Sequence, residues 1–409
     1  MPDSSQVEPV SFNCEGGLVL NRSTFMMQPG EALELENFEP DIQGGYRRIN
    51  GFRKHINHIV PHTTSSSEKV LMVAEFNNSI LAARGEKIWS SASNLITVEI
   101  PVNTTMTGSG TITTSSTAGF SSSGTLQIQD EIFTYTGITA TTFTGVTRET
   151  ASTTAALHRI RTIVSESWTE RDTGRTNAGK YRFERFNFDG NDKIVVVDGD
   201  NPPTVFNTSL AATDISESAV SNAKFIISFK QHMFYAGMSG TPQELVFSVP
   251  FDEDNFLRTV AGTANIGDVD LGAISNNVQS LFDKNIADSA LFDSVVVADK
   301  TQYRIFFTKE NTSDSLTKGI ICVKKENRYE FSEIRGLRPS ATDTLMTTGD
   351  VKILHGGFNG YVYRQELGND FDGTTIFGKY RSPDLTFQDP GIRKHMQRVI
   401  VNYKPEAAI

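Results

Sequence analysis

Brief apolar runs broken by Gly, Asn, Asp or Pro recur along the whole chain, and this recurrence constrains the fold more than any other feature. Runs this short do not support helices of several turns, but each suits a strand with one buried face. Residues 70–75 and 79–83 flank Asn77-Asn78, and Gly85-Glu86 then leads into Lys87-Ile88-Trp89, which reads as an antiparallel meander. The pattern returns at 181–188 and at 193–197, which ends on the turn-rich Asp198-Gly199-Asp200-Asn201-Pro202-Pro203. Further strands are expected at 225–236, 244–249, 294–297, 303–308, 319–324 and 329–334, with a turn at Asn327-Arg328. Residues 351–365 repeat the unit of 70–90, with Asn359-Gly360 in place of Asn77-Asn78. Repeated meanders separated by variable loops are how propeller blades appear in a sequence, although a sandwich accounts for the local pattern as well. The expected fold is all-β: a β-propeller-like body of repeated antiparallel meanders with a small inserted β-module. The best helix candidate is 276–286, where Val278, Leu281, Phe282 and Ile286 share a face, and an irregular loop accounts for it equally.

From 96 to 164 Ser, Thr and Gly dominate and charges thin out. The stretch still carries Ile128, Ile132, Phe133, Tyr135, Ile138, Phe143 and Val146, enough to bury one face of a small sheet, so it reads as an inserted module and not a linker. The division is therefore 1–95, an extended N-terminal segment with the first propeller strands; 96–164, the insert; and 165–409, the rest of the body with its C-terminal strands.

The formal net charge of -10 argues against tight nucleic-acid binding, which needs clustered Lys and Arg, but suits a wall past which DNA slides. Cys14 and Cys322 read as free thiols, because a core of this size needs no disulfide. No run approaches the roughly 20 apolar residues that span a bilayer, and the N-terminus lacks a signal peptide's pattern, so assembly in a cytoplasm is expected.

Several groupings bear on chemistry. His55, His58 and His62 have a spacing that could converge on zinc from a helix, but Pro61 and the β-branched Ile56, Ile59 and Val60 spoil that helix, so solvent-facing histidines are expected. Asp370-Phe371-Asp372-Gly373 and Asp189-Gly190-Asn191-Asp192 lack the closing Glu of a calcium loop and read as turns. The stretches 174–180 and 373–379 approach a phosphate-binding loop, yet Tyr181 and Tyr380 stand where a Ser or Thr hydroxyl would hold magnesium. Both run on as Gly-Lys-Tyr-Arg and are expected to enter equivalent strands of two repeats. Arg47, Arg48, Arg53 and Lys54 form a small basic cluster that reads as a solvated face. Neither a nucleophile elbow nor a dinucleotide fingerprint occurs, so no catalytic, cofactor-binding or metal residue is assigned and an enzyme is not expected.

The opening stretch carries Gly17, Leu18 and Asn21, then Pro29-Gly30-Glu31-Ala32, Asn37, Gly44-Gly45, Arg48, Gly51 and Phe52. In this order it resembles the N-terminus of phage tail nozzle proteins, the packaged-DNA stabilisation (tail tubular) family of short-tailed phages. Phe234, Ala236, Gly237, Leu245, Phe247 and Ser248 look like a blade of the same proteins, and 356–376 looks like a late propeller segment. The insert, with Gly124, Glu131, Tyr135, Gly137, Arg148 and His158, resembles small β-modules of other phage structural proteins, which implies contact more than chemistry. Longer family members continue past the strand expected at 397–403, which implies a truncated or short relative.

The resemblance implies a non-enzymatic structural protein of the virion, forming a closed homo-oligomer with a hexamer as the expected stoichiometry. Its implied partners are a tail adaptor ring, tail fibre proteins and genomic DNA that passes without sequence-specific contact; no small-molecule substrate or cofactor is implied. A carbohydrate-binding or carbohydrate-cleaving propeller is the alternative.

Overall fold

A computed structural model describes residues 11, 13–62, 69–176, 179–188, 190–242, 244–257, 291–308, 318–325, 328–347, 350–385, 398 and 400–402. Among them there is no α-helix; strands dominate, with short 3-10 segments such as Thr24–Met26 and Ser218–Val220 between them. The protein is all-β, as its sequence pattern requires. The helix candidate 276–286 and the turn residue Asn327 lie outside the described residues.

The chain separates into two compact units that cross its linear order. One comprises Met1–Phe52, Asp270–Leu337 and Glu366–Ile409; the other comprises Arg53–Val269 and Arg338–Gln365. The division at 95 and 164 does not follow these units. The N-terminal stretch joins the first because Glu34–Glu36 is seated between two strands far away in sequence, Arg328–Arg335 in parallel and Lys379–Arg381 in antiparallel register.

The second unit holds three successive four-stranded antiparallel meanders. The first comprises Met72–Phe76, Ser79–Arg84, Lys87–Ser91 and Thr169–Asp172. The second comprises Arg182–Phe188, Asn191–Val197, Thr204–Phe206 and Ala212–Asp214. The third comprises Phe225–Phe229, His232–Ala236, Leu245–Ser248 and Phe256–Leu257.

Period two decides how these sheets pack. In Ile194-Val195-Val196-Val197, Ile194 and Val196 join Leu81, Ala83 and Ile88 of the first meander, while Val195 and Val197 join Met233, Tyr235 and Val246 of the third. All four are fully buried, and each such side chain contributes about 1.5–3 kcal/mol by leaving water. The opposite face of the first meander, through Val73, Ile80 and Ala82, packs on Ala341, Leu354 and Val362 of the C-terminal strands of this unit. Sheets that share cores on both faces in chain order make this unit propeller-like.

The turns follow local chemistry where the right residues are present. Asn77 and Asn78 take φ of 47° and 61°, the left-handed pair that a tight hairpin needs. Lys230 and Gln231 take φ of 49° and 66° with none of the usual turn residues, so the single strand expected at 225–236 is a hairpin instead.

The insert is a seven-stranded sheet within this unit. Its last strand, Ile163–Glu166, pairs with Ser93–Leu95 and returns the chain to the first meander. Phe120, Tyr135 and Phe143 meet edge to face in its core, at centroid distances of 4.9 and 5.0 Å. The sequence thus supplies an independent small core here.

Of the strand expected at 397–403, the described residues Arg398 and 400–402 are exposed and outside any strand, and the rest lies outside the described residues. The two Gly-Lys-Tyr-Arg stretches do not enter equivalent strands. Arg182 opens the first strand of a meander, whereas Lys379–Arg381 pairs with the N-terminal Glu34–Glu36.

Candidate functional site

The N-terminal motif works as a fastening. Leu18 N–H donates to the Phe331 carbonyl at 2.7 Å, and Ala32 N–H donates to Gly17 at 2.9 Å. Tyr46 OH accepts from Gly17 N–H at 3.0 Å and donates to the Gly30 carbonyl at 2.7 Å. Asn37 sits at φ 55°, buried, and joins three segments. Its side-chain nitrogen donates to the Phe377 carbonyl at 2.9 Å, and its side-chain oxygen accepts from Arg335 N–H at 2.8 Å. A Cβ on Gly51 would lie 1.8 Å from the Asp370 carbonyl oxygen, so only glycine fits there.

Beneath the fastening lies a charge network. Glu39 is 1% exposed and accepts from Arg47 at 2.6 Å, Lys300 at 2.7 Å, Gln302 at 3.1 Å and Arg304 at 3.2 Å. Glu366 shares Lys300 and Arg304, at 2.6 and 2.7 Å, and accepts from Asn50 at 2.9 Å. Burial alone would raise the Glu366 carboxyl, but the Arg304 and Lys300 charges override it and hold it down at about 2. Such a carboxylate is locked as an anion and is unsuited to donating a proton near neutrality.

The insert carries a second network. Arg148 makes a two-pronged pair with Glu131, both contacts at 2.8 Å, and donates to the carbonyls of Pro101, Thr104 and Ala156 at 2.9–3.0 Å. Both ring nitrogens of His158 are engaged, with Gln129 at 2.9 Å and Glu131 at 2.8 Å. Tyr135 OH donates to Glu166 at 2.9 Å, and Gly124 and Gly137 open strands of the same sheet. The structure thus gathers Glu131, Arg148 and His158 at one point, where they tie the 149–158 loop to the sheet. No nucleophile stands against a base there, so the arrangement can clamp but does not resemble a reaction centre.

The other groupings are placed differently from a ligand site. His55 hydrogen-bonds Ser93 at 3.2 Å, and burial together with the Arg364 and Lys352 charges lowers its pKa to about 3. Burial lowers His58 to about 4. Only His62 faces solvent, so the expectation that all three do is corrected; they lie along a chain that packs on the first meander. Among the described residues no three metal-ligating side chains converge. Asp370 caps a turn by accepting from Gly373 N–H at 2.6 Å. Asp189 lies outside the described residues. Gly174 takes φ 76° before Arg175, whose guanidinium pairs with Asp172 at 2.7 Å and Asp198 at 3.0 Å. The basic cluster is divided: Arg47 is committed to Glu39, and Lys54 lies over the Tyr361 ring at 4.2 Å. Cys14 and Cys322 are free, and burial pushes the Cys322 thiol up to about 11.

The residues that sequence reading missed are Glu39, Arg304, Glu366 and Arg175. Glu39 and Arg304 are separated by 265 positions, so no local spacing signals their meeting. Of the depressions in the surface, one of about 420 Å³ is lined by Asn13, Glu15, Gln28, Glu31 and Arg328, and one of about 250 Å³ by Phe186, Phe188, Phe229 and Lys230. Both are open and shallow.

No family model and no curated protein matches the chain. Among solved structures it is similar to an ancestral GH74 enzyme, at 9% identity and a TM-score of 0.31, covering 85% of this chain and 52% of that one. It thus spans about half the length of that enzyme. It is also similar to the WD40 domain of SCAP from fission yeast, at 9% identity and a TM-score of 0.20, covering 72% of this chain and 81% of that one. Likeness at these scores carries no argument about activity, and the propeller-like description above rests on the sheets themselves.

Proposed function

We propose that this chain is a structural subunit of a phage tail, of the nozzle or packaged-DNA stabilisation kind, which assembles into a closed ring around the DNA channel. The observation that carries the reading is the N-terminal motif. Gly17, Gly30, Asn37 and Gly51, positions through which the chain resembles that family, are also the ones at which backbone meets backbone. Such a motif ties the chain's start to distant strands, as a ring subunit under mechanical load requires.

Two further features fit. The carboxylates Glu39, Glu131 and Glu366 are each held by cations, as in a scaffold. The net charge of -10 suits a wall past which DNA moves. In this reading a hexamer joins an adaptor ring on one side and tail fibres on the other, and it resides in the virion. Native mass spectrometry of the purified chain, paired with a glycan array and a polysaccharide hydrolysis assay, tests it. A closed oligomer silent toward glycans is expected; a monomer that binds or cleaves a sugar would replace the reading with the carbohydrate propeller.

A further inference from the structure

Among the described residues the third meander is apolar on both faces but covered on one. Ile226, Met233, Tyr235 and Val246 point inward to the core shared with the second meander. The alternate positions form the other face: Phe225, Ile227 and Phe229 on the first strand, His232 and Phe234 opposite them, and Leu245 and Phe247 on the third. Phe225 is 47% exposed, Ile227 59%, Phe229 59% and Leu245 36%. The rings already pack laterally, with Phe234 and Phe247 centroids 5.4 Å apart and His232 and Phe247 5.7 Å apart.

Strands that read as unbroken apolar runs are normally covered on both sides. The second meander shows this in the same unit, since Val195 and Val196 are both fully buried while facing opposite ways. The exposed fractions of Phe225, Ile227, Phe229 and Leu245 amount to about two whole side chains, on the order of 400 Å². A contiguous patch of that size on a soluble protein marks a contact site.

We propose that a second copy of this chain covers the Phe225, Ile227, Phe229 and Leu245 face. Area and charge both favour that occupant. With the half-buried rings of Phe234 and Phe247 included, each partner would lose on the order of 500 Å², so the pair loses about 1,000 Å², the threshold for a specific protein contact. The rim is basic along the first strand: Lys224 and Lys230 flank it and are exposed, Arg182 lies over the Phe225 ring at 4.4 Å, and Lys230 lies over Phe229 at 5.4 Å. A chain of net charge -10 offers such a rim a complementary surface in another copy of itself. The aliphatic Ile227 and Leu245 between the rings favour a packed protein surface over stacked bases or sugars. The identity of the occupant rests on the assembly reading above; the face itself does not.

The test compares wild type with Ile227→Glu by native mass spectrometry across a concentration series, with circular dichroism as the folding control. Hydroxyl-radical labelling of Phe225 and Phe229 in wild type accompanies it. The expected result is an oligomeric wild type, at least tenfold weaker association in Ile227→Glu with an unchanged spectrum, and ring labelling that falls as concentration rises. An Ile227→Glu protein with wild-type mass overturns the inference and leaves the assembly reading standing, with its contact elsewhere. A wild type that is monomeric at every concentration overturns both. If Ile227→Glu does not fold, the milder Ile227→Thr and the labelling decide; labelling independent of concentration overturns the inference.

Discussion

Arg148 meets Glu131 side-on, Nε donating to one carboxylate oxygen and Nη2 to the other, each at 2.8 Å, and both side chains are at most 2% exposed. Four backbone carbonyls complete the guanidinium's shell, so removing it leaves a buried carboxylate and several acceptors without partners. Arg148→Met is therefore expected to cost the insert about 3–5 kcal/mol. Arg148→Lys should recover little, because an ammonium cannot span both oxygens and the carbonyls together. Hydrogen exchange resolved over 124–166 reads this; protection within a factor of two of wild type would contradict it.

Three buried histidines of the second unit, His55, His58 and His355, predict acid sensitivity. His55 and His355 are held at about 3 and His58 at about 4, mainly by burial. A histidine whose folded pKa lies below its unfolded value of about 6.5 binds fewer protons when folded, so its stabilising share is present above that value and lost as pH falls. At pH 5 the loss should be on the order of 2 kcal/mol for each of His55 and His355. Urea unfolding at pH 7.5 and pH 5 checks this, and equal stability at the two would refute it. Glu366, held at about 2, acts lower on the scale, its contribution fading only below about pH 4.3.

Asn37 combines a left-handed backbone with two buried side-chain hydrogen bonds. Asn37→Ala should cost about 2–4 kcal/mol, from an orphaned carbonyl, an orphaned N–H and the strained φ. Asn37→Gly should cost less, because it relieves the strain. Amide exchange at Arg335 and across 377–381 should quicken in both. If the two variants are equally stable, backbone conformation is not part of Asn37's role.

Lys230-Gln231 occupies a hairpin turn that favours Asn-Gly. The double substitution Lys230→Asn with Gln231→Gly should raise the thermal midpoint, by about 1 kcal/mol of added stability. An unchanged or lower midpoint would mean that these side chains do more than close the turn.

Strand existence was legible in the sequence wherever an apolar run stood between recognisable turn residues, as at Asn77-Asn78. It failed at 225–236 because Lys230 and Gln231 carry no turn signature; the left-handed pair is imposed by the sheet on either side. The insert was legible from its own aromatic and β-branched residues, Phe133, Tyr135 and Phe143 among them. The two units were not, because Glu34–Glu36 joins partners about 300 residues later, and no local pattern records such pairing. Of the networks, Glu131, Arg148 and His158 stood out only through resemblance. Glu39, Arg304 and Glu366 are ordinary charged residues until the fold brings them together.

Particle imaging of the purified chain shows whether it closes into rings. The account predicts closed rings of identical subunits around an open channel, with sixfold symmetry, and no loss of rings when soluble oligosaccharides are added. Isolated single particles at every concentration, with or without extract containing phage tail components, would contradict it.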